Sequence, residues 1–377
     1  MLSTLAVHGY RSIRSLVLPL SPLTVVTGAN GSGKSSLYRS LRLLSAASRD
    51  GAIAALAHEG GLPSTLWAGP ENGGGTTGTR RRSPVGLKLG FGSDDLSYSI
   101  EFGPHATPTK SFQLDPEIKV EAVWSGQTLR PGTLLSERHG PSARVRADDD
   151  WQRYEPRVPG WSSILSEIAD PRLAPEIYAL RERMRDWRFY DHIRTDQDAP
   201  ARQALVGTRT PVLASDGSDL AAALQTIMEQ GDDRSLVEAV DNALPGSRIE
   251  IDIRDGRFEL LLRQPGLLRP LAAAELSDGT LRYLLWVAAL LSPHPASLLV
   301  LNEPETSLHP ALLAPLGELV AAASGRSQVI VVSHSAPLVA SLERVGALTH
   351  ELEKVDGETR RVGQGLLDAP SWHWPAR

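Results

Sequence analysis

The chain has 377 residues, of which 41% are hydrophobic and 22% are charged, and its net charge is −5. This composition fits a folded protein of one large or two modest domains and excludes a mainly disordered chain. Cysteine is absent, which excludes disulfides and thiolate metal sites, and the acidic balance gives no general electrostatic argument for nucleic-acid binding. No apolar run approaches the roughly 18 residues of a membrane span, and the N-terminus lacks the regions of a signal peptide, so we expect a cytoplasmic protein.

Residues 1–48 predict three strands, a phosphate-binding loop and a helix. Alternating apolar residues mark strands near residues 5–7 and 16–20. Residues 23–26 form a continuous apolar run, which is typical of a strand buried on both faces. Leucines then follow helical spacing between residues 35 and 45.

The middle of the chain predicts strands first and helices later. Short alternating runs between residues 86 and 125 favour an antiparallel meander, and helical patterns follow at residues 161–169, 173–186, 218–229 and 233–243. Strands return at 247–253 and 257–263, and the alternating helix and strand patterns after them predict a parallel sheet. We therefore predict one nucleotide-binding domain in two parts, residues 1–130 and 246–377, with residues 131–245 inserted as a mainly helical lobe.

Three segments of unusual composition are interpreted without a functional role. The arginines at 80–82 follow a glycine-rich stretch and are interpreted as a solvated loop, with a nucleic-acid contact as the alternative. The aspartates at 148–150 are interpreted as a second solvated loop, because no partner residues for a metal site are evident. The aromatic tail at 372–375 is expected to pack onto the domain rather than to bind a ligand.

The phosphate loop is the most specific motif. Residues 28–35 match G-x-x-x-x-G-K-[ST] without a gap, between a buried strand and an amphipathic helix. Its backbone N–H groups and the helix N-terminus favour phosphate, Lys34 is placed to reach the β- and γ-phosphates, and Ser35 to bind Mg²⁺. The predicted ATP-binding residues of the loop are Gly28, Ala29, Asn30, Gly31, Ser32, Gly33, Lys34, Ser35 and Ser36.

Segments near the C-terminus narrow the class of phosphate-loop protein. Residues 297–301 form a buried-strand run followed by Asn302 and Glu303, the form of a Walker B strand with a carboxylate just beyond it. Upstream, residues 276–280 (Leu-Ser-Asp-Gly-Thr) open an apolar helix. Downstream, residues 329–332 form another buried strand that ends before His334. The order and spacing of these elements distinguish the chain from a small-molecule kinase.

In these motifs the sequence resembles the ABC-type ATPase heads of the RecF, SMC and OLD group. The similar segments are Walker A at residues 28–36, the signature at 276–280, Walker B at 298–303, the D-loop at 307–310 and the N-terminal strand start at 9–13. They lie at both ends of the chain and cover about half of it. The resemblance implies an α/β P-loop NTPase of the ABC-ATPase type, with a mixed central sheet, an antiparallel meander and an inserted, largely helical subdomain.

The resemblance also implies roles for individual residues. Glu303 would orient or deprotonate the water that attacks the γ-phosphate, and His334 would bind that phosphate or the water. The alternative for His334 is a strand-end histidine satisfied by its neighbours. Further implied residues are Lys34 for catalysis, Ser35 and Asn302 for Mg²⁺, Arg11 and Ser12 near the nucleotide, and Ser307 and His309 in the D-loop.

The signature residues imply a dimer. In the family, the residues that correspond to Ser277, Asp278 and Gly279 contact ATP held by the other subunit, so that two chains enclose two ATP molecules. The alternative for Ser277 is an ordinary N-cap of an amphipathic helix.

The sequence departs from the family pattern at several points. Asn302 stands where Walker B has aspartate, which removes one negative charge near the metal. The glutamine loop is not identifiable, and Gln113 and Gln127 are candidates by region only. Long heptads are absent, and the sequence after His334 is too short for the TOPRIM domain of OLD proteins.

The favoured function is an Mg²⁺-dependent ATPase that forms a homodimer on ATP binding and acts in DNA repair, DNA maintenance or defence against foreign DNA. DNA and an unidentified protein are further candidate partners, and no membrane partner is expected. Because of Asn302, the main alternative is a nucleotide-gated clamp or scaffold that hydrolyses little ATP. A transporter ATPase subunit is less favoured, because of the long insertion and the missing glutamine loop.

Overall fold

The computed structural model describes residues 1–49, 51–69, 86–105, 111, 114–147, 150–168, 170–191, 193–363, 365 and 370–376. The predictions for the arginines at 80–82, for Gln113 and for the aspartates at 148 and 149 lie outside the described residues. Asp150 is described and begins a strand.

Strands and helices follow one another along the chain. The strands are β1 (Leu2–Tyr10), β2 (Ile13–Pro19), β3 (Leu23–Gly28), β4 (Leu87–Ser93), β5 (Leu96–Pro104), β6 (Pro116–Ser125), β7 (Leu134–His139), β8 (Ser142–Ala147), β9 (Asp150–Tyr154), β10 (Arg188–Tyr190), β11 (Leu205–Val206), β12 (Arg248–Arg254), β13 (Arg257–Arg263), β14 (Leu271–Ala272), β15 (Leu298–Asn302), β16 (Gln328–Val332), β17 (Leu348–Val355) and β18 (Glu358–Arg361). The helices are α1 (Lys34–Ala47), α2 (Ala52–His58), α3 (Leu62–Thr65), α4 (Ile164–Glu167), α5 (Pro175–Arg185), α6 (Leu220–Gln230), α7 (Asp233–Ala243), α8 (Asp278–Leu290), α9 (Leu313–Ser324) and α10 (Ala336–Arg344).

The chain divides into two compact units. Unit 1 consists of Met1–Ser21, Gly28–Trp187 and His350–Arg377, and unit 2 consists of Pro22–Thr27 and Arg188–Thr349. These units do not follow the predicted boundaries at residues 130 and 245, and the functional division into three parts stays a prediction. Among the described residues, no helix combines the length and apolarity required to cross a bilayer.

Unit 1 is built on an antiparallel sheet with the strand order β2-β1-β4-β5-β6-β7-β8-β9. The predicted meander over β4 to β6 is confirmed. It continues through β7 to β9, so the first part of the region predicted as a helical lobe adds strands instead. Gly140 adopts φ 56° and closes a tight hairpin between His139 and Ser142, which turns the chain from β7 back into β8.

A fully buried ion pair lies in unit 1 between β6 and β7. Arg138 Nη1 donates to Glu121 Oε2 at 3.0 Å, and neither side chain is exposed. Glu121 also accepts from the Tyr98 hydroxyl at 2.6 Å and from the Ile164 amide at 3.0 Å. The remaining guanidinium nitrogens of Arg138 donate to backbone carbonyls, so the pair is satisfied on every charged atom.

The aromatic tail packs onto unit 1, as the sequence predicts. The rings of Trp372 and Trp124 have centroids 5.6 Å apart. A Cβ at Gly90 would lie 2.6 Å from the Trp372 ring, so the tail covers the sheet where a strand residue has no side chain.

Unit 2 is built on the parallel strands β10, β15, β16 and β3, which neighbour one another in that order. Asn302 on β15 is in register with Val332 on β16, which is in register with Val26 on β3. Helix α8 packs in the core of this unit, and all its residues from Leu281 to Leu290 are buried. The predicted hairpin of β12 and β13 and the predicted helices α6 and α7 are also confirmed.

Candidate functional site

The phosphate loop follows β3 and ends where α1 begins at Lys34. Gly28, Gly31 and Gly33 have φ angles of 139°, 79° and 110°, a region that side chains other than glycine rarely adopt. A Cβ at Gly28 would lie 2.1 Å from the Leu352 carbonyl oxygen, whereas a Cβ at Gly31 would meet no atom within 4 Å. Gly28 is therefore fixed by both backbone geometry and packing, whereas Gly31 faces open space.

Lys34 is held against its own loop. Its Nζ donates to the carbonyl oxygens of Gly28 at 2.6 Å and Ala29 at 3.0 Å, and the residue is buried. Within the residues that the structure describes, the buried hydroxyl of Ser32 has no hydrogen-bond partner. A buried orphan hydroxyl inside a loop of this type is a polar group that a phosphate oxygen or a water can satisfy.

A threonine that no sequence motif predicts connects the loop to the N-terminal hairpin. The buried Thr359 hydroxyl donates to the Ser32 carbonyl oxygen at 2.8 Å and lies 2.8 Å from the Ser12 hydroxyl. A Cβ at Gly33 would lie 2.1 Å from the same hydroxyl. The structure thus brings Ser12, one of the predicted nucleotide residues, to the phosphate loop through Thr359.

Arg11, the other predicted residue of this hairpin, is paired with a carboxylate. Its Nε and Nη2 donate to Glu59 Oε2 at 3.0 and 2.6 Å. The Tyr10 hydroxyl donates to the same oxygen at 2.6 Å, and burial together with the Glu59 carboxylate raises the pKa of Tyr10. Arg11 would have to leave Glu59 before it could contact a nucleotide.

In unit 2, the predicted Walker B carboxylate and the predicted switch histidine lie close together. Glu303 follows β15 with a left-handed φ of 48°, and its amide donates to the Val332 carbonyl oxygen at 2.8 Å. His334 follows β16, and its Nδ1 is 3.6 Å from Glu303 Oε1. Both side chains are partly exposed, at 40% for Glu303 and 48% for His334, so a ligand can reach them.

A second glutamate, Glu305, anchors the histidine segment. Its Oε1 accepts from the Ser333 hydroxyl at 2.7 Å and from the amides of His334 at 3.0 Å and Ser335 at 3.2 Å. The residue is buried, and its other oxygen, Oε2, has no hydrogen-bond partner among the described residues. The sequence motifs assign Glu305 no role. Its position two residues after Glu303, just beyond the end of the same strand, could have marked it as part of the site.

The predicted signature forms the start of α8. Ser277 is the N-cap of this helix, and its hydroxyl accepts from the Thr280 amide at 3.2 Å. The signature role of Ser277 stays a prediction, because a capping serine can hold either role. A Cβ at Gly279 would lie 3.0 Å from the Ser307 carbonyl oxygen, so the helix start packs closely on the predicted D-loop of the same chain. His309 caps the following turn, where its Nδ1 accepts from the Ala311 amide.

A buried arginine fixes the segment before this helix. Arg202 Nη1 donates to the carbonyl oxygens of Ala273 at 3.0 Å and Leu276 at 2.7 Å. Its Nη2 donates to Asp278 Oδ1 at 2.6 Å. The sequence does not predict this residue, because its backbone partners are 71 and 74 residues away in the chain.

A polar cleft of about 420 Å³ lies in unit 2 beside Glu303. Its lining contains residues of both charges. They are Asp191, Ile193, Arg194, Thr195, Asp196, Asp278, Arg282, Asn302, Glu303 and Thr306. Burial lowers the pKa of Arg282, whose Nε is buried and has no hydrogen-bond partner in the described part of the chain. The nearby guanidinium of Arg194 lowers the pKa of Asp196 to about 2.

The family model described as "AAA domain, putative AbiEii toxin, Type IV TA system" matches residues 23–341. This match covers most of the chain. The chain belongs to this family of AAA domain proteins. No curated protein gives a significant match.

Solved structures of SMC head domains share the fold of this AAA family member. One match is the SMC head bound to the C-winged helix domain of ScpA, with 15% identity, coverage of 97% of this chain and 98% of that chain, and a TM-score of 0.53. Another is the SMC head with an extended coiled coil from Pyrococcus furiosus, bound to the C-terminal domain of ScpA, with 13% identity, coverage of 96% and 95%, and a TM-score of 0.50. The fold is that of an ABC-type ATPase head, and the resemblance inferred from the motifs is confirmed.

The donor atoms predicted for Mg²⁺ in this AAA family member are all oxygens, namely the Ser35 hydroxyl and the Asn302 amide oxygen. Asn302 Nδ2 donates to Asp191 Oδ1 at 2.7 Å, so its amide is oriented by a carboxylate. Within the described ranges, no cluster of three His, Asp or Glu residues could hold a metal ion by itself. Oxygen atoms are the donors that Mg²⁺ takes in proteins, usually from one or two side chains together with phosphate oxygens and water.

Proposed function

We propose that the chain binds ATP at residues 28–36 and hydrolyses its β–γ phosphoanhydride bond. The proposal rests chiefly on the pairing of Glu303 with His334 at the carboxyl ends of two adjacent parallel strands. The next strand in register is β3, which leads directly into the phosphate loop. Ligands of open α/β sheets bind at the carboxyl ends of their strands, and Glu303 and His334 lie at such ends.

The proposed mechanism assigns each residue a limited task. The Glu303 carboxylate orients the attacking water and accepts its proton, and His334 donates a hydrogen bond to the γ-phosphate or to that water. The Lys34 ammonium group leaves the carbonyl oxygens of Gly28 and Ala29 and donates hydrogen bonds to phosphate oxygens instead. Bound Mg²⁺ supplies neutralisation of the phosphate charge, with Ser35 and Asn302 as the oxygen ligands of the chain. Glu305 holds the backbone of His334 in place throughout.

We further propose that two copies of the chain close around two ATP molecules. The N-terminus of α8 supports this, because Ser277 and Asp278 are exposed while Arg202 fixes the segment before them. An exposed and rigid helix N-terminus favours a phosphate group supplied by another molecule.

The test combines ATP turnover, ATP affinity and light scattering on the wild type and on Lys34→Ala, Glu303→Gln and the exposed control Glu343→Gln. We expect Lys34→Ala to lose ATP binding, and Glu303→Gln to bind ATP, lose turnover and become dimeric with ATP and Mg²⁺. Glu343→Gln should match the wild type. ATP binding by a Glu303→Gln protein that stays monomeric would contradict the dimer, and full turnover by this variant would contradict the assigned role of Glu303.

Asn302 favours a second function, a nucleotide-gated clamp or scaffold with little hydrolysis. If this is correct, the wild type should dimerise with ATP, and most bound ATP molecules should dissociate without being hydrolysed. Rapid steady-state hydrolysis by the wild type would exclude this alternative.

The biological setting is proposed on family grounds alone. The family description names a putative toxin of a toxin–antitoxin system, and the matched SMC heads are bound to domains of ScpA. We propose a role in DNA repair, DNA maintenance or defence against foreign DNA, with a partner protein. DNA binding by the ATP-bound Glu303→Gln dimer, measured by fluorescence anisotropy, tests the DNA part.

A further inference from the structure

Asp191 directly follows β10, and Asn302 is the last residue of the neighbouring strand β15. Strands β10 and β15 are parallel, and Tyr190 is in register with Leu301. The next residues along the two strands are Asp191 and Asn302, whose side chains meet through the hydrogen bond of 2.7 Å from Asn302 Nδ2 to Asp191 Oδ1. The carboxyl edge of this sheet therefore carries a carboxylate beside the Walker B position.

The pair carries one negative charge, the same charge as a single Walker B aspartate. Because the Asn302 amide nitrogen is engaged by Asp191, the amide oxygen is the atom left to accept a hydrogen bond or to bind a cation. An aspartate at position 302 would place two carboxylates at hydrogen-bond distance, and they would repel each other unless one took up a proton. Asparagine at 302 is thus the residue that the neighbouring carboxylate favours.

The pair also faces the cleft that contains the proposed catalytic glutamate. Asp191, Asn302 and Glu303 all line this cleft. Arg282 lines it as well and is 8% exposed. Its Nη2 donates to the Ile193 carbonyl oxygen, but its Nε has no hydrogen-bond partner among the described residues. A buried guanidinium nitrogen without a partner indicates that the cleft takes a polar ligand or ordered water that the protein alone does not supply.

We propose that Asp191 supplies the carboxylate of the Mg²⁺ site, so that the negative charge of Walker B has moved from β15 to the neighbouring strand β10. This inference rests on the proposed function, because it requires Mg²⁺–ATP at the phosphate loop. Asp191 and the Asn302 oxygen together take the place that one aspartate holds in a common Walker B strand.

The experiment measures the affinity for a fluorescent ATP analogue with Mg²⁺ and with EDTA. The variants are Asp191→Asn, Asn302→Asp, the exchanged pair Asp191→Asn/Asn302→Asp, and Asp198→Asn as an exposed control on the same segment. We expect Asp191→Asn to lose about 10-fold or more of the affinity gained with Mg²⁺, and to keep its affinity in EDTA. Asn302→Asp should not strengthen Mg²⁺-dependent binding, whereas the exchanged pair should restore it towards the wild type.

Each outcome separates this inference from the proposed function. Mg²⁺-dependent binding by the wild type together with an unchanged Asp191→Asn variant overturns the role of Asp191 and leaves the ATPase proposal standing. A gain of Mg²⁺-dependent affinity in the single variant Asn302→Asp overturns it as well. Absence of ATP binding by the wild type overturns both. Thermal melting of each variant identifies a loss of folding, and recovery by the exchanged pair excludes that explanation.

Discussion

The charged side chains buried in the two units differ in how completely they are hydrogen-bonded. In unit 1, every charged atom of Glu121 and Arg138 has a partner within the protein. In unit 2, Arg202 is fully hydrogen-bonded, but Glu305 Oε2 and Arg282 Nε are buried without a partner among the residues that the structure describes. An unsatisfied buried polar atom costs about 1–3 kcal/mol. The saturated pair is therefore explained by folding alone, whereas the unsaturated groups indicate a place where a ligand or water completes the structure.

Breaking the saturated pair should give the largest effect on stability. Arg138→Leu leaves Glu121 buried without its cation, and we expect a loss of about 3–5 kcal/mol in the free energy of unfolding. Urea denaturation followed by circular dichroism measures this loss. Replacing both residues by leucine should cost less, because no unpaired charge stays buried. A similar loss for the single and the double variant would show that packing, not charge pairing, dominates at this site.

Removing the charge of Glu305 should instead affect turnover. Glu305→Gln keeps the acceptor oxygen but weakens its three hydrogen bonds to the segment that carries His334, so we expect ATP turnover to fall about 10- to 100-fold at nearly unchanged ATP affinity. Steady-state hydrolysis and nucleotide titration measure the two quantities. Glu343→Gln is the matched control. Unchanged ATP turnover in Glu305→Gln would show that this glutamate has only a structural role, as Glu121 has in unit 1.

Ser277 allows its two assigned roles to be separated. Ser277→Ala removes the N-cap of α8 and should lower the free energy of unfolding by about 1 kcal/mol. Ser277→Asp keeps a good cap but brings a negative charge to the helix start, so it should retain stability and lose ATP-dependent dimerisation. Thermal melting and light scattering measure these effects. If the Ser277→Asp protein is stable and still dimerises with ATP, Ser277 does not contact the ATP of the other subunit as proposed.

The smallest expected effect is a dependence of stability on pH in unit 1. Burial lowers the pKa of His350, with a smaller contribution from the charge of Arg361, and burial also lowers the pKa of His8. The unfolded state then binds more protons than the folded state below about pH 6.5, so stability is present above that pH and decreases below it. Urea unfolding on either side of this pH measures the change. His350→Asn should flatten the dependence without abolishing it.

The parts of the molecule that the sequence predicts are those set by local patterns. The phosphate loop, the N-cap at Ser277 and the strand before Asn302 each depend on residues adjacent in the chain, and each is found where expected. The β7 to β9 extension is not predicted, because its short, charged strands obtain their stability from pairing, β7 with β6 and each later strand with the one before it. The roles of Asp191, Thr359 and Glu305 escape prediction because each depends on a partner brought close by the fold.

The close packing of Gly279 on the Ser307 carbonyl oxygen has a consequence for how sequences of this family are interpreted. A side chain at this position would crowd the chain's own backbone, whether or not a phosphate from another molecule ever reaches it. Selection for folding alone would conserve this glycine even in a protein whose helix start no longer contacts a phosphate from another molecule. The presence of this glycine in a relative is therefore weak evidence for a working dimer, and the exposed serine two residues earlier is the more informative position.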